Sequence, residues 1–89
     1  MQISLPYKQA YWFLHLHNMN KEQWKNNKLK EYRLKAGLTQ KQVAERLGMQ
    51  CENRLSRWEH GLAIPNVGNL LKLCELYKRL PNEIYKSVN

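Results

Sequence analysis

Aspartate is absent from this 89-residue chain, and all seven acidic residues are glutamates. An Asp-based catalytic triad or an Asp metal dyad is therefore excluded. The glutamates lie scattered among lysines at helical spacing, the pattern of solvated helix faces. No serine has a histidine and an orienting acid at a readable spacing, and no glycine-rich phosphate loop follows a strand, so an enzyme is not expected. Cysteine occurs twice, at Cys51 and Cys74, 23 positions apart and without a Cys-x-x-Cys pair. A structural zinc site draws four ligands from two short clusters, which this chain lacks. The thiols are expected to be reduced, small apolar side chains in a cytoplasmic compartment. Neither a metal nor any other cofactor is expected. With no run of 18 apolar residues, no membrane-spanning helix is expected. Three prolines and four glycines are too few for a collagen-like chain or a linker.

What is abundant is positive charge. Fifteen Lys and Arg against seven Glu leave +8, which calls for an acidic partner, nucleic acid being the commonest. A basic surface that serves solubility alone is the plain alternative. Hydrophobic residues make up 43% of the chain, enough for one small core and too many for a disordered tail.

Residues 1–19 differ in texture from the rest and read as an N-terminal extension; residues 20–89 read as the domain. Tyr7, Tyr11, Trp12 and Phe13 crowd together with little charge. The apolar patch at residues 10–16 is too short for a signal peptide, is interrupted by His15 and lacks a small-residue cleavage site. His15 and His17 would share a face on a strand, but two ligands do not make a metal site. An aromatic arm packed on the domain or on a second subunit is the expectation, with Met19 as an alternative start of the chain.

From Asn20 the pattern becomes helical. Leu29, Tyr32 and Ala36 recur at 0, 3 and 7, and Gly37 stops this first helix. Residues 21–35 carry six basic and two acidic side chains. Thr39 and Gln42 form a capping box for the second helix, with Leu38 and Val43 as a hydrophobic staple. Val43, Ala44 and Leu47 form its apolar stripe and Gly48 ends it. A third helix is expected from Glu52 to His60. A 100° wheel puts Cys51, Leu55, Trp58 and Leu62 on one face, with Glu59 beside it, and Asn53, Arg57 and His60 on the other. After Gly61 and Pro65, Asn66 caps a fourth helix whose apolar residues Val67, Leu70, Leu73, Cys74 and Tyr77 keep helical spacing. A short fifth helix follows Pro81, with Ile84 closing the core. The fold class is all-α, a compact five-helix cluster.

Two short helices joined by a tight turn, the second with an exposed polar face, match a helix-turn-helix. Such a helix fits the major groove, where Asn53, Arg54 and Arg57 can reach base edges: Arg suits guanine and Asn suits adenine. A solvated helix face is the competing reading. Gln40, at the first turn of the second helix where free N–H groups favour an anion, can contact phosphate, as can Lys41, Ser56, His60 and Asn66.

The stretch "LKEYRLKAGLTQKQVAERLG…RLSRWEHGLAIPNVGNLLKLCELY" resembles the lambda-repressor-like (Cro/C1, XRE) helix-turn-helix domains over residues 29–85, about two thirds of the chain. The resemblance implies a five-helix domain that binds operator DNA as a homodimer, commonly encoded by bacteria, phages or mobile elements. It pairs Arg33 with Glu59, at the end of the third helix. It makes Gln40 a phosphate contact that also steadies that helix, and Leu55 and Trp58 core residues. It points Glu52, Asn53 and Arg57 at base edges and leaves Arg54 on the flank. Two departures stand out. Gly48 to Leu55 is seven steps where common members have six. The helix can therefore start at Gln50 or at Glu52, and the first base-reading residue lies between Gln50 and Asn53. Glu52 stands where Gln or Ser is frequent; a carboxylate there repels phosphate unless it accepts from cytosine N4 or caps the helix start.

The expected function is sequence-specific binding of double-stranded DNA as a small transcriptional regulator, a repressor, without a small-molecule effector. The alternative is a protein-binding module, such as an antitoxin or assembly subunit, in which DNA binding is secondary. The aromatic arm is the feature that favours it.

Overall fold

The computed structural model describes residues 18–85, which form six helices: α1 (Lys21–Lys25), α2 (Leu29–Lys35), α3 (Gln40–Arg46), α4 (Asn53–Glu59), α5 (Val67–Tyr77) and α6 (Pro81–Ile84). Among the described residues the sole β pairing is an isolated bridge between Asn27 and Tyr85. The aromatic extension, including His15 and His17, lies outside the described residues.

None of these helices is long enough to hold alone, because nucleation costs more than so few propagation steps return. Their ends are therefore fixed by specific groups. Thr39 accepts from Gln42 N while Gln42 accepts from Thr39 N, the predicted capping box of α3. Asn66 caps α5 by accepting from Asn69 N at 2.8 Å. Pro81 takes the first position of α6, where its missing N–H costs nothing, and Glu83 accepts from Leu80 N. The predicted glycine stops at Gly37, Gly48 and Gly61 all take positive φ.

The core joins every helix from α2 to α6. Leu29, Val43, Leu55, Leu70, Leu73, Ile84 and Tyr85 are fully buried, and Ala44 lets α3 approach its neighbours closely. Each such aliphatic side chain contributes about 1.5–3 kcal/mol by leaving water. Met19 is buried too, and Trp24, Leu38 and Val67 pack against the cluster from its edge.

The structure departs from expectation in three places. The helical texture after Asn20 breaks at residues 26–28, so α1 is a separate helix ahead of the five predicted ones, with its own Asn20–Gln23 capping box. Ala36 is exposed at the C-terminus of α2, and the inward position belongs to Arg33. Cys51 and Leu62 are not on the inner face of α4: Cys51 is exposed and Leu62 is 56% exposed. Both lie beyond the ends of the helix, where a 100° rotation per residue no longer applies.

Candidate nucleic-acid interface

The site is built around α4. Its inner face buries Leu55 completely and Trp58 to 3% exposure, while Asn53, Arg54 and Arg57 are exposed. Arg54 lies over the Trp58 ring, 5.6 Å from its centroid, one turn back along the helix. This contact draws the Arg54 guanidinium toward the flank and leaves Asn53 and Arg57 as the polar side chains of the outer face.

Glu59 closes the helix from inside. Its side chain is 2% exposed and that of Arg33 is 8% exposed. Arg33 Nε donates to Glu59 Oε2 at 2.7 Å and its terminal nitrogen donates to Oε1 at 3.2 Å, a bidentate geometry. The other terminal nitrogen of Arg33 donates to Leu38 O at 3.0 Å. Gln40 Nε2 donates to Glu59 Oε1 at 2.9 Å. One carboxylate thus ties the end of α4 to α2 and to the first turn of α3. The adjacent Tyr77 phenol is buried without a hydrogen-bond partner. Burial pushes its pKa up, the negative charge of Glu59 adds to that rise, and Arg33 opposes it.

The remaining predicted contact residues are spread around α4. Gln40 is half-buried with one amide hydrogen committed to Glu59 and the other without a partner among the described residues. Lys41 is exposed, Ser56 is half-buried, and Asn66 is exposed with its carbonyl oxygen engaged in capping α5. His60 is exposed, and its Nδ1 lies 2.8 Å from Ser56 O. A carbonyl can only accept, so Nδ1 is the donor in this contact.

Residues 47–52 link α3 to α4, helical geometry begins at Asn53, and Glu52 occupies the N-cap position. Gln50 and Cys51 are therefore exposed turn residues rather than a first helical turn. The Glu52 side chain makes no capping bond, so its expected capping role is not realised.

A residue that sequence reasoning passed over also holds α4. The side-chain nitrogen of Asn27 donates to Trp24 O at 2.8 Å and to Trp58 O at 3.2 Å, and its carbonyl oxygen accepts from Leu29 N at 3.0 Å. The signal available was the pair Asn26-Asn27 in "KNNK", a turn-favouring composition inside a run otherwise read as helical.

Among the described residues no group of three or more His, Cys or Glu is placed to hold a metal ion, and no helix is long and apolar enough to cross a membrane.

A family model described as helix-turn-helix matches residues 29–84. Over 50 residues the chain is 48% identical to the HTH-type transcriptional regulator ImmR of Bacillus subtilis (strain 168), an alignment covering 56% of this chain and 39% of ImmR. The chain thus spans well under half the length of that curated relative. No solved structure matches it.

Proposed function

This chain belongs to the helix-turn-helix family, and on that premise we propose that it binds double-stranded DNA sequence-specifically as a small transcriptional regulator, a repressor acting in the cytoplasm. The observation that carries the reading is the division of α4. Leu55 and Trp58 are buried and the Glu59 side chain is tied to the scaffold, while Asn53 and Arg57 are exposed and without a side-chain hydrogen bond among the described residues. An exposed Arg-Asn pair on a helix held at one end is a shape that enters a major groove and reads guanine and adenine. Arg54 and Glu52 flank this pair, and Gln50 reaches the same groove from the turn. Lys41, Ser56, His60, Asn66 and the second amide hydrogen of Gln40 serve the phosphates, positioning the domain without specifying sequence.

The working form is a homodimer on a site with two half-sites about 10–10.5 base pairs apart, or a multiple of that spacing. Binding selection on a pool of random duplexes is the direct test. An enriched motif with two-fold symmetry is the expected result. A folded, dimeric sample that enriches nothing would overturn the reading in favour of a protein partner.

A further inference from the structure

The family model begins at residue 29, yet part of what fixes the far end of α4 lies ahead of it. The two hydrogens of the Asn27 side-chain amide reach one C-terminal carbonyl of α1, Trp24 O, and one of α4, Trp58 O. Both carbonyls lie in the last turns of their helices, and Trp58 O also accepts from Gly61 N at 3.1 Å. The same side chain accepts from Leu29 N, at the start of α2. Three of the four hydrogen-bonding positions of one amide are thus used to join three helix ends. Directly beside this junction, the chain leaving α4 is pressed onto α1. A Cβ on Gly61 would lie 2.6 Å from the Lys25 Cα and 2.6 Å from its Cγ. At the other end of α1, Trp24 Nε1 donates to the carbonyl of buried Met19. The bond from Lys28 N to Ile84 O and the Asn27–Tyr85 bridge then tie residues 27–28 to the last helix.

We propose that residues 19–28 act as an accessory brace for α4, with Asn27 as a positioning residue that sets how Arg57 and Asn53 are presented to DNA. The effect on DNA rests on the DNA-binding reading above; the mechanical brace does not. Asn27→Asp keeps the acceptor for Leu29 N and the shape of the side chain, but removes both donations. In the full 89-residue chain this substitution is expected to lower discrimination about tenfold. Discrimination here is the affinity for the duplex selected by the wild type relative to a mixed-sequence duplex of equal length. The measurement is made at a temperature where both proteins are fully folded, and the salt dependence is expected to stay unchanged. Amide exchange is expected to quicken at Gly61 and Leu62, which donate to Trp58 O and Arg57 O, and to stay unchanged at Leu73 in α5.

A role confined to overall stability would lower the melting temperature and leave discrimination intact in the folded protein, and that result would overturn the proposal. Unchanged exchange at Gly61 and Leu62 in a folded variant would do the same. If the wild type selects no duplex, the DNA-binding reading fails and the exchange comparison still decides whether the brace exists. Should Asn27→Asp not fold, Trp24→Phe serves instead. It removes the indole donation to Met19 O, leaves the hydrogen bonds from Leu29 onward in place, and is expected to move both readouts the same way by about twofold. No movement in either would end the idea.

Discussion

The two ends of α4 are held in opposite ways. At its C-terminal end Glu59 accepts three hydrogen bonds from α2 and α3, Asn27 caps Trp58 O, and Gly61 sits against Lys25. At its N-terminal end the turn carries exposed Gln50 and Cys51, and Glu52 makes no capping bond. Among the described residues, the free N–H groups of the first turn are thus left without a side-chain partner on the end that faces the proposed groove. Rigidity is concentrated where the helix joins the scaffold. The reading end keeps open donors that a phosphate or a base can satisfy.

The largest way to break this asymmetry is at the anchored end. Glu59→Ala leaves the Arg33 guanidinium buried without its counter-charge, and is expected to cost about 3–5 kcal/mol in urea unfolding. Gly61→Ala combines a left-handed backbone with a Cβ against Lys25, and is expected to cost about 1–3 kcal/mol by the same measurement. Arg57→Ala addresses the outer face. It is expected to weaken binding to the selected duplex by about 1–3 kcal/mol and to relax preference at one site position. Its unfolding free energy should move by less than about 0.5 kcal/mol. Equal affinity of this variant and the wild type would remove Arg57 from the reading set. The smallest effect belongs to the loose end: Glu52→Ala is expected to change stability by less than about 0.5 kcal/mol, since no capping bond is lost.

The two thiols report on the same contrast. Cys51 is exposed in the turn, whereas burial, with a further push from Glu83, drives the Cys74 pKa up to about 12. A thiol reagent at neutral pH is expected to label Cys51 in the native protein and Cys74 only as the domain unfolds. The raised pKa also fixes the sign of the alkaline response. Between pH 9 and about 12 the unfolded chain loses the Cys74 proton while the folded chain keeps it, so stability falls as pH rises through that window.

Much of this was legible before any coordinates. The Thr39–Gln42 box, the cap at Asn66, the glycine stops and the spacing of Leu70, Leu73 and Tyr77 are local signals, and each acts within one turn of helix. The inward Arg33–Glu59 pair was readable only with the help of a family resemblance, because a wheel places Glu59 near the core without saying what neutralises it. Where local signals end, the reading failed. Cys51 and Leu62 were placed by extending a helical rotation past the helix ends. The break at residues 26–28 has no proline or glycine to announce it. It is set by Asn27, whose partners are Trp24 three residues back and Trp58 thirty-one residues on. The outer face of α4 could be named from sequence, but not its first residue, because turn length and helix start trade against each other until one end is fixed in space.

The turn ahead of α4 has an evolutionary consequence. The rotational phase of the helix is set by Leu55, Trp58 and Glu59, all beyond the turn of residues 47–52. Chain length can therefore drift at residues 49–52 without rotating Arg57 off the outer face. On the proposed DNA-binding reading, what such drift changes is the short segment ahead of the helix, so target preference can diversify there one residue at a time while the scaffold is inherited intact.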